Sequence, residues 1–137
     1  MAKKSNDGSE KHGKLTASQL LDFLVTPAFE KRWAALGLND EGDLFDLQVK
    51  LCESPRLGPV IKKTNGIRKA RYSPPSWNVG KSGALRIIYT HFEKFGFVIL
   101  LVAYGKSEQA DISDAVRKTL NKLVTEAEAE LKRRRGS

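Results

Sequence analysis

The sequence predicts an α+β domain in which two N-terminal helices and a C-terminal helix accompany a small antiparallel sheet, in the order β, α, α, β, β, β, α. Two observations predict this class. Apolar residues recur at helical spacing on both sides of Gly37 and again after Ser113, whereas between Ile67 and Tyr104 the pattern becomes one of short β-branched and aromatic runs separated by turn residues. Helices and strands are therefore segregated along the chain, which favours a layered α+β arrangement over an alternating parallel one.

The chain has 137 residues, enough for one domain with its own core. Residues 1–14 are polar and mixed in charge, with no apolar periodicity, and are expected to form a disordered tail that includes His12. Residues 15–135 form the single expected domain. Leu20 to Val25 reads as a first strand. Thr26 is placed to cap a helix with Pro27 at its first position, and Phe29, Trp33 and Leu36 form its stripe until Gly37 stops it. Asn39 or Asp40 is expected to cap the second helix, with Leu44, Leu47, Gln48 and Leu51 facing inward until Ser54-Pro55.

Ile67 to Tyr72, Leu85 to Phe92 and Phe97 to Tyr104 read as three strands of a meander, the last a continuous apolar run suited to a central position. Glu93 to Gly96 is a short hairpin connection. Ser73 to Gly83, with Pro74-Pro75 and two glycines, is a loop that carries Trp77, either as a packed lid or as a stacking contact. A long helix capped by Asp111 or Ser113 follows, with Val116, Leu120, Leu123, Val124, Ala127 and Leu131 as its apolar stripe and Lys132 to Arg135 at its negative end.

The charge is unevenly distributed. Between Ser54 and Phe92 lie eight basic residues (Arg56, Lys62, Lys63, Arg68, Lys69, Arg71, Lys81 and Arg86) and no acidic one, which accounts for the whole formal charge of +8. Such segregation implies a polyanionic partner. A single cysteine, Cys52, permits no internal disulfide, and the distant His12 and His91 offer no zinc spacing, so no metal or other cofactor is expected. The apolar run from Phe97 to Ala103 is about a third of the ~20 residues that cross a bilayer. A reducing cytoplasm is the expected setting and no membrane partner is foreseen.

Several motifs occur in a recognisable order: Thr26-Pro27 with Phe29 and Lys31; Asn65-Gly66-Ile67-Arg68-Lys69-Ala70-Arg71; Gly80-Lys81-Ser82-Gly83-Ala84-Leu85-Arg86 with Ile87, Ile88 and Tyr89; and Tyr104-Gly105-Lys106-Ser107-Glu108-Gln109. Together they resemble the RelE/HigB superfamily of toxins from type II toxin–antitoxin pairs, over roughly Leu20 to Val124. The resemblance implies a RelE-like fold and a ribosome-dependent endoribonuclease, or mRNA interferase, that inhibits translation. It also implies two partners, mRNA on the ribosome and a cognate antitoxin, of helix-turn-helix type, held in a hetero-oligomer.

Such cleavage requires a proton acceptor near the ribose 2′-OH, cations around the five-coordinate phosphorus, and an acid for the departing 5′-oxygen. Without a histidine pair, basic residues must carry this work, helped by desolvation and mutual repulsion. The resemblance, with strand alternation, assigns the catalytic set to Arg86 as phosphate anchor, Arg71 beside it and Lys69 for proton transfer. RNA contacts are expected from Arg68, Lys81, Tyr104 (by stacking) and Lys106. A regular strand puts Arg68 on the opposite face from Lys69. In the better-known branch an arginine and a tyrosine stand where this chain has Ser107 and Ile112. A non-catalytic toxin on the same scaffold, such as a ParE-type gyrase inhibitor, is the second reading. A general nucleic-acid-binding module is the third, although neither a helix-turn-helix nor an RNA-recognition aromatic motif is present.

Overall fold

The computed structural model describes residues 15–77, 84–105 and 112–136. The 1–14 tail therefore lies outside the described residues, as do Lys81 and Lys106. After a 3-10 turn at Ala17–Gln19, the chain runs through β1 (Asp22–Val25), α1 (Pro27–Ala35), a π-helical turn (Asp40–Leu44) leading into α2 (Phe45–Glu53), β2 (Ile67–Tyr72), β3 (Leu85–Phe92), β4 (Phe97–Tyr104) and α3 (Asp114–Gly136).

Local chemistry sets the helix ends. Thr26 Oγ1 accepts the Phe29 amide hydrogen at 3.1 Å and Pro27 opens α1. Gly37, at φ +78°, takes the left-handed conformation after it. Asn39 Oδ1 accepts from the amides of Gly42 and Asp43, so Asn39 caps the second helical segment. Ser113 Oγ accepts from Val116 N, making Ser113 the cap of α3. Along α3 the buried seam is Leu120 and Val124, continued by half-buried Ala127 and Leu131. Val116 and Leu123, expected on that stripe, are instead exposed.

The sheet order is β1-β4-β3-β2. β2, β3 and β4 form the expected antiparallel meander, with strand limits as the sequence predicts. The expectation of a wholly antiparallel sheet needs correction. β1 pairs parallel to β4, Asp22 opposite Phe97 through Val25 opposite Leu100, so the sheet is mixed. β1 also starts later than the apolar run suggests, because Leu20 lies before the first pair and remains exposed. With α1 and α2 on one face and α3 on the other, β4 is buried on both sides, which is why its sequence is apolar without alternation.

The first face packs Phe29, Trp33, Leu47 and Leu51 against Tyr72, Leu85, Ile87, Tyr89 and Leu100. Phe29 and Trp33 stack at 5.2 Å between ring centroids. Trp77 packs against this cluster as a lid. Tyr72 donates to Asp46 Oδ2 at 2.6 Å, and its hydroxyl pKa is pushed up by burial and then by that carboxylate. This bond ties β2 to α2. The second face packs Ile67, Ile88, Phe92, Ile99 and Leu101 against Ile112, Leu120 and Val124 of the α3 region. Asn121 fastens α3 to the loop before β2, its Oδ1 accepting from Asn65 N at 2.8 Å and its Nδ2 donating to Lys63 O at 3.1 Å.

The β3–β4 register shifts between Ile88, opposite Val102, and Tyr89, opposite Leu100. Leu101 is thus the extra residue of a β-bulge, which reverses the alternation of the rest of β4. Beyond it, Val102 and Tyr104 join the second face with Ile88 and Arg86. Thr26 serves the bulge as well as the helix, because Oγ1 donates to Leu101 O at 2.9 Å while accepting from Phe29 N. Thr26→Val keeps the shape and loses both bonds. Adding a lost cap to a buried carbonyl without a donor, it is expected to lower stability by about 2 kcal/mol, read from the denaturant midpoint.

Candidate functional site

Directly opposed residues in an antiparallel pair share a face. In β2 and β3, Arg71 is opposite Arg86 and Lys69 opposite Ile88; in β3 and β4, Arg86 is opposite Tyr104. The three residues assigned to catalysis from the sequence therefore share the second face. Arg71, Arg86 and Tyr104 form one row across three strands, with Lys69 in the neighbouring row, about 7 Å along β2 from Arg71.

Exposure grades along this row. Arg71 is exposed, Arg86 is half-buried and donates from Nη1 to Ala84 O at 3.0 Å, and Tyr104 is buried. Two arginines opposed across a strand pair repel one another, so the fold gains nothing from the pair itself. An anion lying over both offsets that repulsion and can accept from both guanidinium forks.

Tyr104 differs from expectation. Only 4% exposed and packed in the cluster that contains Ile112, it offers no open ring face for stacking on a base. Its place in the row depends on the Leu101 bulge, since uninterrupted alternation from Ile99 would put it on the other face.

Arg68 lies on the opposite face from Lys69, as a regular strand predicts. It is paired with Tyr89 and so lies on the first face, where Nη1 donates to Gly58 O at 2.7 Å. Tyr89 Oη accepts from Gly58 N at 3.1 Å and donates to Pro55 O at 2.8 Å. Arg68 and Tyr89 thus hold the 55–60 segment against the sheet. That segment then follows the free edge of β2, with Lys69 N donating to Pro59 O and Ile61 N to Ile67 O. Fixing the edge of β2 in this way also fixes Lys69.

His91 is opposite Val98 and lies on the first face, away from the cation row. Burial lowers its pKa, the nearby Arg68 and Arg56 charges act in the same direction, and Glu93 opposes them. Cys52 is buried, and its thiol pKa is raised chiefly by that burial. Neither residue adjoins the row. Among the described residues no group of histidine, cysteine and carboxylate side chains is arranged to hold a metal ion. No described helix is long and apolar enough to cross a membrane.

One cation near this face was missed in the sequence. Arg117, in the first turns of α3, lines a groove with Lys69 and Lys62. A charged residue in a helix ordinarily reads as solvated surface, and only the packing of α3 beside the 59–62 segment brings it next to Lys69. No known protein-family model matches this chain.

Proposed function

We propose that this protein is an RNA-cleaving toxin with a RelE-like fold, which cuts mRNA on the translating ribosome and is held inactive by an antitoxin. The observation that carries the reading is the face shared by Lys69, Arg71 and Arg86, with the two arginines opposed on adjacent strands. A phosphodiester over this row would sit between two guanidinium groups, with Lys69 one row away. In this reading Arg86 anchors the scissile phosphate, Arg71 neutralises charge gained as the 2′-oxygen attacks phosphorus and the P–O5′ bond breaks, and Lys69 exchanges the proton, accepting it from the 2′-hydroxyl and returning it to the departing 5′-oxygen. The segregated positive charge would speed encounter with RNA and make binding sensitive to salt. Lys81 and Lys106 would add backbone contacts.

Ile112 favours a second reading, a non-catalytic toxin of the gyrase-inhibiting type. At a position where the better-known branch places a tyrosine, this chain has an apolar side chain buried in the second cluster, which can transfer no proton. Purified protein added to a translating extract, together with expression in growing cells, separates the readings. Ribosome-dependent cleavage, mapped from new RNA 5′ ends, is expected. Growth arrest with trapped gyrase–DNA complexes and intact mRNA would select the second reading, and neither effect would remove both.

A further inference from the structure

Beside the cation row, the 59–62 segment and the start of α3 enclose a groove of about 380 Å³, within the roughly 300–1,000 Å³ usual for ligand sites. Pro59, Val60 and Ile112 form apolar wall, and Lys62, Lys69 and Arg117 bring three positive charges, with no carboxylate among the described lining residues. Arg117 is the unusual member. Its side chain is only 20% exposed. Nη1 pairs with Asp114, itself 89% exposed at the rim, and Nη2 reaches Ile112 O at 3.4 Å. Nε is buried and has no hydrogen-bond partner among the described residues.

An anionic oxygen in the groove is attracted by the three cations of its lining and can accept charge-assisted hydrogen bonds from them. Lys69 belongs to both the groove and the second face that carries Arg71 and Arg86, so the two regions are continuous. We propose that the groove is a subsite for the nucleotide flanking the scissile bond, with Lys62 and Arg117 holding its phosphodiester and the apolar wall receiving its ribose or base. This rests on the RNA-cleaving reading and extends it by one nucleotide along the strand. Exposed Lys62 supplies long-range attraction. Arg117, stiffened by packing and by Asp114, supplies direction.

The test is binding of a fluorescent, fully 2′-O-methylated oligoribonucleotide, which cannot be cleaved, followed by anisotropy across a salt series. Lys62→Ala and Arg117→Gln are each expected to weaken binding about five- to tenfold and to reduce the slope of log affinity against log salt by about 0.7. Arg117→Lys should keep the slope, and Lys132→Ala, near the far end of α3, should leave it unchanged. If Arg71→Ala weakens binding while Lys62→Ala and Arg117→Gln match wild type, the subsite is overturned and the RNA reading stands. Failure of wild type to bind the oligonucleotide at low salt would overturn both. Thermal melting accompanies each variant, and should Arg117→Gln unfold, the exposed Lys62→Ala decides alone.

Discussion

On the proposed RNA-cleaving reading, Arg86→Ala is expected to reduce the rate of RNA cleavage on the ribosome by about 10²–10³-fold, the usual effect of removing one group aimed at charge that develops in the transition state. The fold should hardly register the change. Among the described residues Arg86 donates one hydrogen bond, to Ala84 O, and its removal relieves the repulsion from Arg71 directly opposite. Activity and stability should therefore separate, with the melting temperature close to wild type and turnover largely lost. Arg86→Lys restores a charge without the planar fork and should recover only part of the rate. Single-turnover cleavage measured beside thermal melting checks the pair of outcomes. Equal rates for Arg86→Ala and wild type would remove Arg86 from the site.

Gly58→Ala is the substitution expected to harm the fold most. An added Cβ would lie 2.3 Å from Lys69 O and 2.6 Å from Ala70 N, both backbone atoms of β2 that no side-chain rotation can move aside. The 55–60 segment would have to lift from the strand, weakening the bonds that Tyr89 and Arg68 make to Gly58 and the Lys69–Pro59 bond on the edge. A loss of about 3 kcal/mol, the upper end for overpacking, is expected from equilibrium urea denaturation. Cleavage by the fraction that still folds should also fall, because the displaced edge carries Lys69. A variant as stable as wild type would show that the segment does not need this close approach.

These predictions differ in how far they could be foreseen from the chain. The shared face of Lys69 and Arg71 follows from strand alternation, and β2 is bounded by turn residues that leave little freedom in its limits. Arg86 was legible in kind, as a cation on a well-marked strand, although its pairing with Arg71 required the register. The value of Gly58 was not legible, since a glycine between Leu57 and Pro59 reads as ordinary loop. Only the approach of Lys69 O gives it meaning. Arg117 was hidden for a similar reason, its neighbours Lys62 and Lys69 being remote in sequence.

By itself the amino-acid sequence determined the local elements: the cap at Thr26, the stop at Gly37, the limits of the three meander strands and the acid-free basic stretch. These depend on periodicity and on interactions within a few residues, so they can be read without a fold. The tertiary structure alone decided that β1 runs parallel to β4, that Arg68 turns to Gly58, that Arg117 joins Lys69, and that Tyr104 shares a face with Arg86. The last depends on one extra residue, Leu101, in a strand apolar on both faces. In such a strand a one-residue shift leaves the hydrophobic pattern unchanged, so only the pairing with β3 and the Thr26 hydroxyl on Leu101 O select the register.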